Sequence, residues 1–334
     1  MFRTKNQDGR QEGSAAGSQV DEAVKSHGVD TDREGTMEGW IDALPFEVLQ
    51  RILLFVPECD LMECLTVSSV WCKAITEPTF WKTKCLYLDP YVVEYVAPYP
   101  PDDWREFYFK RPFGRNLIKN CSGQDSGNDR DMASWTVLSD GGDHWLIETK
   151  CPGSGAMPEE LLSLSNGDPK SFATSFGQCA REQVIDLLAE GFTEKMLDEL
   201  QPPIFVSEWY AARFDCGNTL EIKVRLLRDR PKVHEVTPKD RRHRRRQRRD
   251  ELVEQDKSDN EVDCFTFGPL RTEQWADRSW KQTCHWFKDY GPGVRFIQFW
   301  DYSQDTQFWA GHYGSKMAGA EVRFMTTEPE EQTS

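Results

Sequence analysis

Apolar positions between Leu44 and Leu86 recur at spacings of three and four, the signature of short amphipathic helices. Leu44, Val48, Leu49, Ile52, Leu53 and Val56 form one stripe that stops before Pro57, and Pro45 suits a first turn, where a missing N–H is no loss. Asp60 with Glu63 gives a D-x-x-E cap signal ahead of Leu61, Met62, Leu65 and Val67. The pattern predicts a third helix over Ser69 to Thr76, carrying Val70, Trp71, Ala74 and Ile75 and closed by Pro78. A fourth element begins at Phe80 and Trp81. So small a bundle holds more large apolar side chains than it can bury. At about 1.5–3 kcal/mol for each one removed from water, the surplus predicts docking onto a partner.

Tyr87 to Lys110 is aromatic and interrupted by proline, which predicts a semi-rigid linker with a helix around Trp104 to Phe109. From Arg111 onward short β-compatible runs alternate with turn residues. Ser134 to Leu138 and His144 to Glu148 flank an Asp140-Gly141-Gly142-Asp143 turn and predict a hairpin. Ile204 to Tyr210, Thr219 to Leu227 with alternating Leu220, Ile222, Val224 and Leu226, Val294 to Trp300, and Glu321 to Met325 predict further strands of an antiparallel sandwich. Gln183 to Leu188 and Glu194 to Leu200 predict two short covering helices. The expected architecture is α+β and multidomain: a disordered tail over 1–36, a helical bundle over 40–86, a linker over 87–110, a sandwich over 111–328 and a tail over 329–334.

Composition fits two folded parts. The chain has 334 residues, 38% hydrophobic and 12% aromatic, more than one compact unit commonly takes. The net charge of -15 and pI near 5.0 repel polyanions and make nucleic acid an unlikely partner of the whole chain. Ten scattered cysteines without a C-x-x-C pair suggest neither a metal knuckle nor a disulfide framework. No apolar leader and no run of about 18–20 apolar residues stands in the sequence, so no membrane span is expected and the default is a soluble cytoplasmic protein, or a nuclear one through the basic run Lys239 to Arg249. Lys239 to Arg249, KDRRHRRRQRR, runs into an acidic stretch ending at Asp263, a charged loop insertion over 239–263. It reads as a solvated loop, a nuclear-import signal or a phosphate-binding patch. No G-x-S-x-G, H-E-x-x-H or P-loop is present, so no catalytic residues, cofactor or metal are expected.

The L-P-x-E of Leu44 to Glu47, the L-x-x-I-L at Leu49, Ile52 and Leu53, the V-S-S-V-W-C-K of Val67 to Lys73, and Phe80 with Trp81 resemble an F-box. That resemblance implies docking onto the Skp-family adaptor of an SCF (cullin-RING) ubiquitin ligase through Leu44, Pro45, Glu47, Leu49, Ile52, Leu53, Leu61, Leu65, Val70 and Trp71. RPFGRNLIKN at Arg111 to Asn120, GGDHW at Gly141 to Trp145, QVIDLLAEGF at Gln183 to Phe192, WYAARFDCG at Trp209 to Gly217, YGPGVRFIQF at Tyr290 to Phe299 and DTQFWAGHYG at Asp305 to Gly314 resemble the F-box-associated domain of the glycoprotein-recognising F-box-only family. The implied fold is a jelly-roll-like, galactose-binding-like β-sandwich. The implied role is a non-catalytic receptor for misfolded client glycoproteins bearing high-mannose N-glycans, in ER-associated degradation. In that family the glycan's chitobiose is held by residues matching Phe176, Asp215, Phe308 and Trp309, while Ala310 occupies a lysine position. His312 stands where the family carries Trp, and Asp301-Tyr302-Ser303 replaces an H-G-G-type turn. Those departures motivate an alternative, an F-box receptor with protein-only or nucleic-acid-linked recognition.

Overall fold

The computed structural model describes residues 44–231 and 260–327. The expected terminal tails and the basic run Lys239 to Arg249 lie outside the described residues. Among the described residues six short helices come first: α1 Phe46–Leu53, α2 Glu58–Cys64, α3 Ser69–Thr76, α4 Pro78–Leu88, α5 Pro90–Tyr95 and α6 Trp104–Lys110. The predicted third helix has the observed bounds because Ser68 caps it, its hydroxyl accepting the Trp71 N–H. Pro78 closes that helix by starting the next, at the position where proline is tolerated. The D-x-x-E signal does not start α2. That helix begins two residues earlier, after Pro57, without a side-chain cap.

The predicted linker is helical over much of its length. Asp89 and Asp103 cap α5 and α6 through their carboxylates. Glu58 of α2 accepts from Tyr108 Oη and Arg111 Nη2 at the end of α6. Arg111 itself takes φ 45°, the left-handed turn that ends a helix and redirects the chain. Rings of Tyr95 and Phe107 lie against Phe113, which packs in turn on Phe192. Continuous aromatic packing, not proline stiffness alone, joins the helices to the β-rich remainder of the chain.

Among the described residues, ten strands form two five-stranded antiparallel sheets. One has the order β1 (Thr136–Asp140), β4 (Cys179–Asp186), β9 (Phe296–Asp305), β6 (Asn218–Leu227), β7 (Glu261–Thr272). The other runs β2 (Leu146–Glu148), β3 (Ser171–Ala173), β10 (Lys316–Phe324), β5 (Ile204–Ala211), β8 (Lys281–Phe287), with α7 (Glu159–Leu164) between β2 and β3. The expected hairpin is therefore absent: β1 and β2 belong to different sheets, and the glycine turn carries the chain from one to the other. Gln183 to Leu188 is not a covering helix, since β4 runs through Asp186 and pairs with β9 along its whole length. Glu194 to Leu200 is helical, ending in a π-helical turn over Met196–Leu200. Asp301, Tyr302 and Ser303 are not a turn either; they lie inside β9 and are buried.

Trp135, Phe172 and Phe299 meet edge to face in the core. Arg181 is wholly buried there, its guanidinium 3.8 Å from the centre of Trp135 and 3.9 Å from that of Phe172. Its Nε donates to Asp301 at 2.7 Å and its Nη2 to Glu208 at 3.0 Å, tying the two sheets together.

Candidate functional site

Register fixes where the loops go. In the first sheet Asp140 pairs with Cys179, Cys179 with Ser303, and Asn218 with both Asp305 and Thr272. In the second, Ala173 pairs with Leu146 and Lys316, Ala211 with Lys316, and Tyr210 with Lys281. Every odd-numbered strand thus ends, and every even one begins, at the same end of the sandwich. Five of the seven connections that cross from sheet to sheet cluster there, and they carry Phe176, Asp215, Phe308, Trp309 and Ala310. Loops far apart in sequence are brought to one rim by topology.

The β9–β10 loop presents the rings. Phe308 is 66% exposed at φ 59°, held by its N–H on the Asp305 carboxylate, and Trp309 is 43% exposed. Trp309 stands edge-on to Tyr313, with centroids 5.7 Å apart. The Arg213 guanidinium lies 4.2 Å from the Tyr313 ring centre and donates from Nε and Nη2 to the two Asp215 carboxylate oxygens, each at 2.9 Å. That bidentate pair holds the Asp215 carboxyl below its usual range, outweighing the upward push of burial. Gln307 ties the same two loops, its Oε1 accepting the Gly217 N–H at 2.8 Å.

Phe176 joins through its neighbour. Ser175 Oγ donates to the Gly311 carbonyl and accepts the Asp143 N–H, both at 2.8 Å, while Asp143 accepts the Gly311 N–H and, on its carbonyl, the His312 ring at 3.1 Å. Gly142 takes φ 68°, and a Cβ there would meet Ser175 Oγ at 2.6 Å, so the β1–β2 turn can press against Phe176 only as glycine. Behind the loop, Lys316 is buried, donating to Glu148 at 2.9 Å and to the His312 carbonyl at 2.8 Å. Burial lowers the pKa of Lys316 and of His312 alike. Phe176 is half-buried and Ala310 exposed, without a polar group to offer.

Arg213, Tyr313, Asp143, Ser175 and Lys316 escaped the sequence reading. Arg213 stands two residues from Asp215 in the same loop, a usable signal; the others meet the site only through the fold. Chemically, the rim offers two apolar ring faces and an anionic acceptor, Asp215, whose side chain stays 35% exposed beside its Arg213 bonds. Such a set accepts N–H or O–H donors next to an apolar face. Among the described residues, no three His, Cys, Asp or Glu side chains stand close enough to hold a metal ion.

The helical region has a second candidate surface. Pro45, Glu47 and Ile52 are exposed, Leu44, Leu65, Val70 and Trp71 partly so. Leu49, Leu53 and Leu61 are wholly buried in the bundle, where they set helix spacing and cannot touch a partner directly. Exposed apolar side chains missing from the predicted set extend the surface: Val48, Phe55 (75% exposed), Met62 and Val67. Val48 and Phe55 follow the helical spacing of Ile52, a legible signal.

An F-box-like match covers residues 41–87, and the F-box associated region matches residues 108–255 and 249–324. F-box only protein 6 of Bos taurus is 34% identical over 284 residues, covering 84% of this chain and 92% of that protein. F-box only protein 44 of Mus musculus is 30% identical over 286 residues, covering 85% of this chain and 96% of that one. Among solved structures, TmCBM61 in complex with β-1,4-galactotriose aligns with 63% of this chain and 97% of its own, at TM-score 0.31 and 11% identity.

Proposed function

The chain belongs to the F-box protein family that carries an F-box associated region, and from that premise we propose that it is the substrate-recognition subunit of an SCF-type cullin-RING ubiquitin ligase. Its α1–α3 surface docks the Skp-family adaptor, and the crossing loops of its sandwich hold the chitobiose of an N-glycan on client proteins. Ubiquitin transfer belongs to the partners. The observation that carries the reading is the gathering of Phe308, Trp309 and the Arg213-held Asp215 on one rim by loops far apart in sequence. Pyranose C–H faces stack on the rings, and the carboxylate accepts a hydroxyl or N-acetyl N–H.

An array of N-glycans tests this directly. High-mannose glycans and free chitobiose bind the wild type, and Trp309→Ala removes the signal. Silence across the array, or a signal indifferent to that substitution, contradicts the sugar assignment and favours protein-only recognition. Adaptor docking is read separately, by co-purification with the Skp-family adaptor. Retention in the wild type and loss after joint substitution of Leu44→Ala and Pro45→Ala is the expected outcome.

A further inference from the structure

Two more rings stand in water on the same rim, outside the residues so far given a role. Phe214, in the β5–β6 connection, is 45% exposed, and Trp275, in the β7–β8 connection, is 62% exposed. Their centroids are 4.9 Å apart at 70°, and the Trp275 N–H donates to the Phe214 carbonyl at 2.9 Å. Trp275 sits at φ 67°, a left-handed conformation costly for a bulky residue. A large ring held out of the core in a strained backbone calls for a compensating role. Continuity supplies its place: Phe214 directly precedes Asp215, and Gln274, the residue before Trp275, donates from Nε2 to the Asp215 carbonyl at 2.9 Å.

The polar side chains around the pair decide what it can hold. Asp215, held by Arg213, is already the acceptor for the sugar in the reading above. Asp277 accepts from the Ser279 N–H and hydroxyl and from Lys281, and Glu273 is paired with Arg271. Arg278 lies 6.0 Å from the Phe214 ring centre, a loose cation–π approach. A sugar here would lose hydroxyl hydration with little to replace it, whereas an apolar side chain loses nothing polar.

We propose that Phe214 and Trp275 form a second subsite, which takes an apolar side chain of the client polypeptide beside the glycosylated asparagine. The inference rests on the reading of Asp215, Phe308 and Trp309 as the sugar site. Bound together, sugar and side chain act bivalently.

Fluorescence anisotropy with the full chain tests this, comparing free chitobiose, an Asn-chitobiose peptide with Leu and Phe flanks, the same glycopeptide with Ser and Gly flanks, and a sugarless Leu/Phe peptide. The wild type binds the apolar-flanked glycopeptide about tenfold more tightly than the Ser/Gly one. The double variant Phe214→Ser with Trp275→Asn, asparagine being tolerant of positive φ, binds both equally and free chitobiose as the wild type does. Equal wild-type affinity for the two flanks overturns the proposal. So does a fall in free chitobiose binding in the double variant, which makes the pair a sugar platform, or a wild-type dimer that the variant dissociates, which makes a second copy the occupant. Should free chitobiose not bind at all, the sugar reading fails alone. The sugarless peptide then decides: bound by wild type and lost in the double variant it supports the subsite, and bound alike by both it overturns it.

Discussion

At the scale of single residues, Asp215 and Arg213 show how a carboxylate is prepared for recognition. Arg213 keeps the Asp215 carboxyl below its usual range, so the ionised acceptor persists as pH falls and is lost only on passing through that lowered value. Chitobiose affinity is therefore expected to stay flat from neutral pH to below about pH 4, the ordinary aspartate value. In Arg213→Gln affinity is weaker and its decline moves up toward that value, as titration calorimetry from neutral pH down through that range would register. The buried trio behaves oppositely. Burial pushes the Glu208 and Asp301 carboxyls up, and one oxygen of each, Glu208 Oε2 and Asp301 Oδ1, has no hydrogen-bond partner among the described residues. One cation faces two carboxyls, so the folded state holds protons that the unfolded chain gives up. Stability then falls as pH rises past the ordinary carboxyl range, and Glu208→Gln gains on wild type over that interval in thermal melts. Arg181→Met, which strips the only cation from the trio, is expected to destabilise by about 3–5 kcal/mol in denaturant unfolding. None of this was legible in the sequence, where Asp301 reads as a turn residue; burial of a charge depends on partners far away in the chain.

At the scale of elements, α1, α3, β5 and β6 were read close to their observed bounds, while the start of α2, the sheet partners of β1 and β2, and the strand β4 were not. Spacing of three and four marks α1 and α3 because each buries one face, and Ser68 supplies the α3 cap locally. Strand β4 misled because it is buried almost throughout, so alternation is lost and Val184, Ile185 and Leu187 mimic a helical stripe. Gln183 is polar yet buried, since its amide pairs with both the N–H and carbonyl of Lys119 as a strand neighbour would. The glycine turn after β1 read as a hairpin because turn chemistry is local, whereas the choice of sheet is not. In α1, neighbours on the helix separate two roles. Leu53→Ala is expected to cost about 2–5 kcal/mol of stability by opening a cavity. Ile52→Asp, on the exposed face, is expected to leave the melting temperature nearly unchanged and abolish adaptor retention. Equal stability loss in both, with adaptor binding intact in Ile52→Asp, would place the docking surface elsewhere.

At the scale of the molecule, the helices and the candidate loops occupy opposite ends of the sandwich. Phe113, reached by the rings of α5 and α6, bridges to Phe324 at the far end of β10, while Lys316 at the near end supports the β9–β10 loop. Glu58 fixes the bundle to α6, and Arg115 pairs with Glu190 of the sandwich. Under the proposed function, that separation lets adaptor and client glycan bind without either blocking the other. The most direct measurement is whether the chain bridges them. The purified Skp-family adaptor, passed over immobilised chitobiose, should be retained only when the wild-type chain is added, and lost with either Ile52→Asp or Trp309→Ala. Retention of the wild-type chain with added adaptor left unbound, of adaptor without the chain, or of both regardless of Trp309→Ala would contradict the account.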